Sequence, residues 1–557
     1  MDQGAFLEDL YFGNLGGDYF SSFRVPSCLP KTEKIIDGCL ALVSRYSPLK
    51  LEEKSEVPED LLQGLKELGL FGLIIPEEYG GLGLDMAQYL LITEQLARID
   101  MGLAIIPLAH LSIGVKGVLL YGTDDQKRKY LPPAASGDTI FAFALTEPKI
   151  GSDAQHIETR AVRSEDGSHY LLNGTKTYVT NGGIAGALTL FAGLATERPG
   201  YLGAFIVETG WDGVKVGKPM LKMGLHTSST TMIRFKNVRV PAENMLGSPG
   251  DGFRIAMSVL NYGRLGLGAA SVGSMEQAVE DMIDRAGKRI QFGIPIQRFE
   301  LIQEMIARAK VNSFIARAMT YFTSGLLDRD PFARVAIESS HTKLFGTSRG
   351  WSTLNDALQV AGGAGYLKSL PYEKRLRDFR VTTVFEGTTE IHSIYPALYL
   401  ARRIAKTQKS KPAMFLAFAA ALIGFPHVTL PAGDSRIQGA LSLAMSCIRQ
   451  ARRMLYRGLM KYGRKLVEQE FFLRRVTRLS MSGFGLISGS CYISSLAKAG
   501  HNVDVQVRLL QCFIEETRLI KQQNRNLTNT RWEQRLKKII GHIDSEPVTG
   551  KAGAEHT

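Results

Sequence analysis

Cysteine is scarce in this chain, and the signatures of several common enzyme classes are missing. The five cysteines among 557 residues are scattered and form no CxxC pair, which argues for a reducing compartment and against a disulfide framework or a zinc site. The sequence contains no GxxxxGK[ST], HExxH or GxSxG segment, which excludes the P-loop, zinc-protease and nucleophile-elbow chemistries. The ten histidines show no ligand spacing, so we interpret each as structural or surface and expect no metal.

A recognisable leader is also lacking at the start of the chain. The opening MDQGAFLEDLYFGNLGG has neither a basic region followed by an apolar one nor an arginine-rich amphipathic pattern, so we expect either no targeting segment or one already removed. Hydrophobic and charged contents of 45% and 22% are typical of a folded globular protein. The length of 557 residues exceeds what one core supports, which predicts three or four structural units.

Charge is distributed unevenly along the chain. Residues 401–557 carry 26 Lys and Arg against 10 Asp and Glu, whereas residues 1–400 carry 41 against 44. A basic region confined to one end favours a surface-binding module, and anionic lipid or an acidic partner are both candidates. The absence of zinc-finger, RNP-like and helix-turn-helix patterns argues against nucleic acid.

The periodicity of apolar residues divides the chain into four parts. Helical spacing dominates from about residue 30 to 138, short β-rich runs separated by turns follow, and long helical patterns return after them. Within the β-rich part, Asn173-Gly174 predicts a hairpin turn. We therefore expect a mainly α, α+β protein. The predicted units are an N-terminal helical domain (1–139), a middle β-domain (140–251), a helical bundle (252–403) and a basic C-terminal helical domain (404–557).

A carboxylate in an unusual setting marks the end of the third unit. In VFEGTTE, Glu386 lies between Phe385 and Gly387. An aromatic neighbour and a glycine indicate a charge brought into an apolar site at close backbone range.

Five segments together resemble the acyl-CoA dehydrogenase family over roughly residues 30 to 405. They are LTEPKIGSD (145–153), NGTKTYVTNGG (173–183), RIQFG (289–293), LQVAGGAGY (358–366) and VFEGTTE (384–390). Three further stretches, LNYGRLGLGAASVG, FELIQEMIARA and EQEFFLRRV, are most similar to the very-long-chain members and to their paralogue that serves assembly of respiratory complex I. The resemblance implies the family fold with an added C-terminal helical domain.

The same resemblance implies roles for individual residues. Glu386 is expected to be the catalytic base, because the alternative family position just before Arg264 is occupied here by Gly263. The expected substrate-binding residues are Ser152, Arg264 and Gly387. The expected FAD-binding residues, some of them acting across a dimer interface, are Thr146, Ser152, Tyr178, Thr180, Arg289, Phe292, Gln359, Gly363 and Thr388.

The implied activity is α,β-dehydrogenation of long or very-long-chain fatty acyl-CoA to trans-2-enoyl-CoA, the first step of β-oxidation. The resemblance further implies a homodimer, electron transfer to an electron-transferring flavoprotein, and peripheral attachment to a membrane. The expected location is the matrix side of the mitochondrial inner membrane in a eukaryote, or the cytoplasm or inner-membrane face in a bacterium. Two alternatives stay open: a complex I assembly factor with secondary or no dehydrogenase activity, and an acyl-CoA oxidase.

Several positions depart from the family pattern. Tyr178 replaces the usual tryptophan beside the flavin, Lys149 replaces a small residue, and His226 replaces Arg or Lys. Residues 412–426, behind Lys406, Lys409 and Lys411, form an apolar stretch too short to cross a hydrocarbon core of ~30 Å. They are expected either to lie in a membrane interface or to pack in the core.

Overall fold

The structure of the protein is a computed structural model. It describes residues 6–12, 19, 23, 25–46, 51–53, 56–194, 200–407, 412, 416, 419 and 435–540.

Short helices make up the first part of the chain. They are α1 (Phe6–Phe12), α2 (Pro30–Val43), α3 (Glu59–Glu67), α4 (Met86–Ile99), α5 (Met101–Leu108), α6 (Lys116–Tyr121) and α7 (Asp124–Ser136). Side chains fix where several begin: Asp85 accepts a hydrogen bond from the Gln88 amide at the start of α4, and Thr123 with Gln126 forms a capping box at the start of α7.

The segment from α5 to α6 continues through a π-helical stretch, Ala109–Gly114. Met101–Tyr121 as a whole is long and apolar enough to cross a membrane by length and composition, yet 89% of its apolar window is buried inside the protein. We interpret it as a core helix, which lies between the sheet and the long helices described below.

The middle of the chain forms a sheet. Its strands are β1 (Phe141–Ala144), β2 (Arg160–Arg163), β3 (His169–Thr180), β4 (Ala187–Leu194), β5 (Leu202–Glu208), β6 (Val214–Val216), β7 (Thr230–Pro241) and β8 (Met245–Leu246). They run in the order β6-β7-β3-β2-β4-β5-β8, and β1 pairs in parallel with β4.

The predicted hairpin turn at Asn173-Gly174 is wrong. Both residues lie inside β3, where the pairing with β7 shifts register between Leu172 and Gly174. A Cβ at Gly174 would stand 2.4 Å from Oγ1 of Thr159, so the glycine permits close approach of a neighbouring segment within a bulge rather than a reversal of the chain.

Long helices return after the sheet. They are α8 (Gly252–Lys288), α9 (Glu300–Arg329), α10 (Ala336–Ala361), α11 (Tyr372–Arg380) and α12 (Thr389–Thr407), with a small hairpin of β9 (Ile290–Gln291) and β10 (Ile294–Pro295) between α8 and α9. Helix α8 packs closely on α4, since a Cβ at Gly273 would stand 1.9 Å from the carbonyl oxygen of Glu94.

A further group of helices follows, as expected for an added C-terminal helical part. They are α13 (Gln438–Tyr462), α14 (Glu470–Lys498), α15 (Asp504–Gln523) and α16 (Arg531–Ile540). Helices α13, α14 and α15 contribute to the same apolar core as α1 and α9. The rings of Phe6 of α1, Phe322 of α9 and Phe484 of α14 pack at tilted or edge-on angles, with centroids 4.8 to 6.3 Å apart.

The mainly α, α+β fold class is therefore confirmed. The division into domains at residues 139, 251 and 403 stays a prediction, and α12 continues past residue 403 to Thr407. The stretch 412–426, predicted to contact a membrane or the core, lies outside the described residues except for positions 412, 416 and 419.

Candidate active site

Glu386 lies at a sharp bend between a short 3-10 turn, Val381–Thr383, and the start of α12. Its φ of 56° and the φ of 96° at Gly387 place two consecutive residues in the left-handed region, which is costly for a glutamate. A Cβ at Gly387 would stand 2.7 Å from Nε2 of His392. The glycine after the glutamate is thus required by both backbone conformation and space.

The carboxyl of Glu386 points at α8. A Cβ at Gly263 would lie 3.0 Å from both Cδ and Oε2 of Glu386, and 2.8 Å from Cγ2 of Ile113 in the π-helical stretch. The glycine just before Arg264 therefore makes room for the carboxyl itself. The sequence assigned the base to Glu386 partly because position 263 is glycine, and the two positions are direct neighbours in space.

Burial dominates the electrostatics of this carboxyl. Although the residue as a whole is only partly buried, Oε2 is buried and accepts no hydrogen bond from the residues that the structure describes. Desolvation raises the pKa of Glu386 to about 7, against the opposing pull of Arg264 and Lys343. A carboxyl with this pKa and an unengaged oxygen can take up a proton near neutral pH.

The guanidinium of Arg264 contacts a backbone oxygen and an amide side chain rather than the carboxylate of Glu386. Nε of Arg264 lies 3.5 Å from the carbonyl oxygen of Glu386, and Nη1 donates to Oδ1 of Asn261 at 3.1 Å. The Arg264 guanidinium also lies over the ring of Tyr395, 5.6 Å from its centroid. Arg264 and Gly387, both predicted to bind substrate, are therefore brought together with Glu386.

Two residues that the sequence analysis did not single out complete this loop. Nζ of Lys343 donates to the carbonyl oxygen of Gly387 at 2.6 Å, and burial lowers the pKa of Lys343 to about 7. Nε2 of His392 lies 2.9 Å from the carbonyl oxygen of Glu386. His392 follows Glu386 by six residues, in the first turns of α12, so its proximity could have been inferred from the sequence. Lys343 lies 44 residues before Gly387, and no sequence pattern indicated the contact.

A second group of predicted residues lies along β3 and the loop after β1. The Thr177 amide donates to the Thr146 carbonyl at 2.9 Å, which holds this loop beside Tyr178. The pairing of β3 with β7 shifts between Lys176 and Val179, and Tyr178 has a φ of 54° with 67% of its surface exposed. The irregularity presents the tyrosine ring outward, near Thr180 at the strand end, while Ser152 is exposed.

A third group lies at the far ends of α8 and α10. Arg289 and Gln359 are exposed, Phe292 is 95% exposed with a φ of 52°, and the position of a Cβ at Gly363 has nothing within 4 Å. Nη2 of Arg285 joins the two helix ends, 3.4 Å from the carbonyl oxygen of Ala361.

This third group is remote from the base in the same chain. Arg289 caps α8 and follows Arg264 by 25 positions on that continuous helix, a separation of ~37 Å at 1.5 Å per residue. Thr388, also predicted to bind the flavin, lies two residues after Glu386 at the start of α12, where its Oγ1 is 3.4 Å from the Ile391 amide.

The departures at His226 and Lys149 differ in their surroundings. The ring nitrogens of His226 lie 2.8 Å from the carbonyl oxygen of Lys222 and 3.1 Å from that of Glu52. Contacts with two backbone carbonyls therefore fix the orientation of this side chain. Lys149 is 81% exposed, and its Nζ is 3.9 Å from Oε1 of Glu158.

Comparison with known proteins identifies three matching regions. Residues 43–138, 142–238 and 250–395 match the N-terminal, middle and C-terminal domains of acyl-CoA dehydrogenase, respectively. Among curated proteins, the chain is 40% identical over 409 residues to the mitochondrial very long-chain specific acyl-CoA dehydrogenase of Rattus norvegicus, covering 71% of this chain and 62% of that protein. It is also 40% identical over 351 residues to an acyl-CoA dehydrogenase of Bacillus subtilis, covering 63% of this chain and 92% of that protein.

Solved structures extend the similarity. An acyl-CoA dehydrogenase from Bacillus anthracis complexed with FAD superposes with a TM-score of 0.83 at 28% identity, covering 97% of this chain and 96% of that one. Butyryl-CoA dehydrogenase from Megasphaera elsdenii gives a TM-score of 0.64 at 33% identity, covering 67% of this chain and 99% of that one. The C-terminal helices of this chain thus have a counterpart in the first structure.

Proposed function

The chain belongs to the acyl-CoA dehydrogenase family, and we propose that it dehydrogenates long or very-long-chain fatty acyl-CoA thioesters to trans-2-enoyl-CoA. The observation that carries this proposal is the buried carboxyl of Glu386, whose pKa is raised to about 7 and whose Oε2 accepts no hydrogen bond within the described part of the chain. The chain-length class rests on the very-long-chain relatives, about 62% of whose length this chain matches.

Removal of the α-proton requires a base matched to a weak acid. A proton next to a thioester carbonyl is only weakly acidic, so a base with a raised pKa transfers it more readily than an ordinary carboxylate. We assign this role to Glu386, which is buried beside Gly263 and Ile113. The backbone bend at Glu386 and Gly387 would present an amide to the thioester carbonyl, where negative charge develops.

FAD fits the residues predicted to bind it. The exposed ring of Tyr178 offers a flat aromatic surface, and the bare backbone of Gly362 and Gly363 offers close approach to a phosphate. When bound, FAD accepts the hydride that leaves the β-carbon. Thr146, Tyr178 and Thr180 would hold the flavin end.

A second copy of the chain would complete each site. Arg289 lies ~37 Å along α8 from Arg264, and Phe292 follows it in the hairpin between β9 and β10. Gln359 and Gly363 lie at the matching end of α10. We propose that these residues serve the flavin nucleotide of a partner subunit in a homodimer, as the family resemblance implies.

The remaining partners follow from the same resemblance. We propose that electrons leave through an electron-transferring flavoprotein, and that the basic C-terminal part contacts an anionic membrane surface. Curated relatives whose own names include the word mitochondrial support our proposal of the matrix side of the inner membrane for a eukaryotic source.

Anaerobic titration with palmitoyl-CoA, followed by flavin absorbance, tests the proposal. We expect bleaching in the wild type and a rate at least about 100-fold lower in Glu386→Gln. Glu390→Gln, which changes an exposed glutamate in the next helix, is the matched control and should bleach normally.

Failure of the FAD-loaded wild type to bleach across acyl chain lengths would contradict the dehydrogenase proposal. Co-purification with respiratory complex I subunits that persists in Glu386→Gln would then favour the assembly role. Fast reoxidation of the reduced flavin by oxygen would instead favour an acyl-CoA oxidase.

A further inference from the structure

The first turns of α10 contain an unbroken run of buried polar residues. All six side chains from Glu338 to Lys343 have no exposed surface. Burying a polar group is costly unless it finds a partner, so such a run in one helix requires several elements to supply partners. Its members indeed reach α1, α12, α14 and the loop that carries Glu386.

Two members of this run hold the loop. Nζ of Lys343 donates to the carbonyl oxygen of Gly387 at 2.6 Å. Oγ of Ser340 lies 2.7 Å from Nδ1 of His392, whose Nε2 lies 2.9 Å from the carbonyl oxygen of Glu386. Because a carbonyl only accepts, Nε2 carries the ring proton of His392 and donates it, while Nδ1 accepts from the Ser340 hydroxyl.

These hydrogen bonds therefore fix two successive carbonyl groups at residues whose backbone conformation is energetically unfavourable. Glu386 and Gly387 both have positive φ, at 56° and 96°, and such a conformation persists only where its surroundings over-determine it. The Gly387 carbonyl receives a donor from α10. The Glu386 carbonyl receives its shorter hydrogen bond from α12 and a second one, at 3.5 Å, from Arg264 of α8, and together these donors set the orientation of both peptide planes.

The donors also leave the carboxyl of Glu386 free. An ammonium bonded to the carboxylate would hold it ionised and block proton uptake. Lys343 instead donates to a backbone oxygen, and Oε2 of Glu386 accepts no hydrogen bond from any described residue. The loop is thus held through its backbone while its acid-base group stays available.

We propose that Ser340, His392 and Lys343 are positioning residues that hold the Glu386-Gly387 backbone in the conformation needed for removal of the substrate α-proton. This inference rests on the proposed dehydrogenase function. It assigns to the three residues an effect on the rate of proton removal rather than on acyl-CoA binding, because they contact the peptide that carries the base and not the space in front of it.

The test compares His392→Leu with His392→Gln by stopped-flow flavin reduction with palmitoyl-CoA. Leucine removes the hydrogen bond from His392 to the carbonyl oxygen of Glu386 and leaves only the 3.5 Å contact of Arg264, whereas the glutamine amide keeps a donor at position 392. We expect the limiting reduction rate to fall about 10- to 100-fold in His392→Leu, since small misplacement of a catalytic group has effects of this size, with KM unchanged. His392→Gln should recover most of the rate.

His341→Leu is the matched control. His341 is a neighbouring buried histidine on the same run, but its Nε2 pairs with Oγ of Ser480 on α14, 2.8 Å away, so it faces away from the loop. His341→Leu should lower thermal stability to a similar extent without slowing flavin reduction. Ser340→Ala, a smaller change in the same chain of bonds, replaces His392→Leu if the latter does not fold.

Hydrogen–deuterium exchange provides a readout that is independent of turnover. In the apo chain, the peptide containing Glu386 and Gly387 should exchange faster in His392→Leu than in wild type and His341→Leu. Equal reduction rates in His392→Leu and wild type, equal slowing in His341→Leu, or unchanged exchange would each overturn the inference. A wild type that fails to bleach would refute the proposed function instead, and the exchange comparison would still decide whether these residues hold the loop.

Discussion

The loop at Glu386 and the exposed positions Tyr178, Phe292 and Gly363, which belong to two separate groups, differ in how they are held. In the loop, the carbonyl oxygens of Glu386 and Gly387 are bound by buried side chains of the same chain. Tyr178 and Phe292 instead keep most of their surface exposed, and a Cβ at Gly363 would meet nothing within 4 Å. The geometry of the base is set by contacts within one chain, whereas the exposed positions, called the rim below, would be completed by FAD and a second copy under the proposed function.

Substituting alanine for one glycine in each region should give the largest difference between them in activity and stability. Gly387→Ala forces a Cβ to 2.7 Å from Nε2 of His392 at a φ of 96°, so we expect at least about a 100-fold loss of flavin reduction and a destabilisation of ~2–4 kcal/mol. Gly363→Ala, in open space, should change unfolding by less than ~1 kcal/mol. Kinetics and urea unfolding measure both. Similar losses in the two variants would remove the distinction between loop and rim.

The free energy of unfolding should depend on pH through the buried carboxyl of Glu386. Because burial raises the pKa of the native Glu386 carboxyl to about 7 from 4.5, ionisation destabilises the native state as pH rises through this interval. Glu386→Gln removes that penalty, so its stability advantage over the wild type should grow by roughly 2–3 kcal/mol between pH 5 and pH 8. Urea unfolding of the apo chain at both pH values measures it. Exposed Glu390→Gln should show no such trend, and parallel curves for Glu386→Gln would mean that the carboxyl is not desolvated.

Substitutions in the rim should change the affinity for FAD rather than the stability of the chain. Tyr178→Ala removes an exposed ring, so we expect FAD to bind roughly tenfold more weakly, in line with ~1.5 kcal/mol for an aromatic stacking contact. The unfolding midpoint of the apo chain should stay unchanged. Tyr178→Phe keeps the ring and serves as the control in flavin titration of the apo protein. A Tyr178→Ala chain that unfolds early would show that the ring stabilises the fold.

A feature of this structure could be predicted from the sequence when residues close together in the chain determine it. It could not when it depends on contacts between residues far apart in the chain. The apolar setting of the Glu386 carboxylate was predicted from its two sequence neighbours, Phe385 and Gly387, because they act on its immediate surroundings. The Asn173-Gly174 turn failed because a contact with Thr159 converts the same local signal into a bulge within β3. Lys343 was missed because its contact with Gly387 spans 44 residues and is created only when α10 packs beside the loop.

The smallest effect is expected at the tip of the hairpin between α8 and α9. Phe292 has a φ of 52°, a conformation that glycine adopts without strain, and its ring meets Phe299 edge-on at 6.1 Å between centroids. Phe292→Gly relieves backbone strain and loses one exposed contact, so we expect unfolding of the apo chain to change by less than about 1 kcal/mol. FAD retention after gel filtration should nevertheless fall, if the ring serves the nucleotide of a second copy. Phe292→Ala removes the ring but keeps the backbone strain, so comparing it with Phe292→Gly separates the effect of the ring from that of the strain. If Phe292→Gly instead lowered the free energy of unfolding by several kcal/mol, the hairpin tip would resemble the Glu386 loop, because its conformation would then depend on contacts within the single chain.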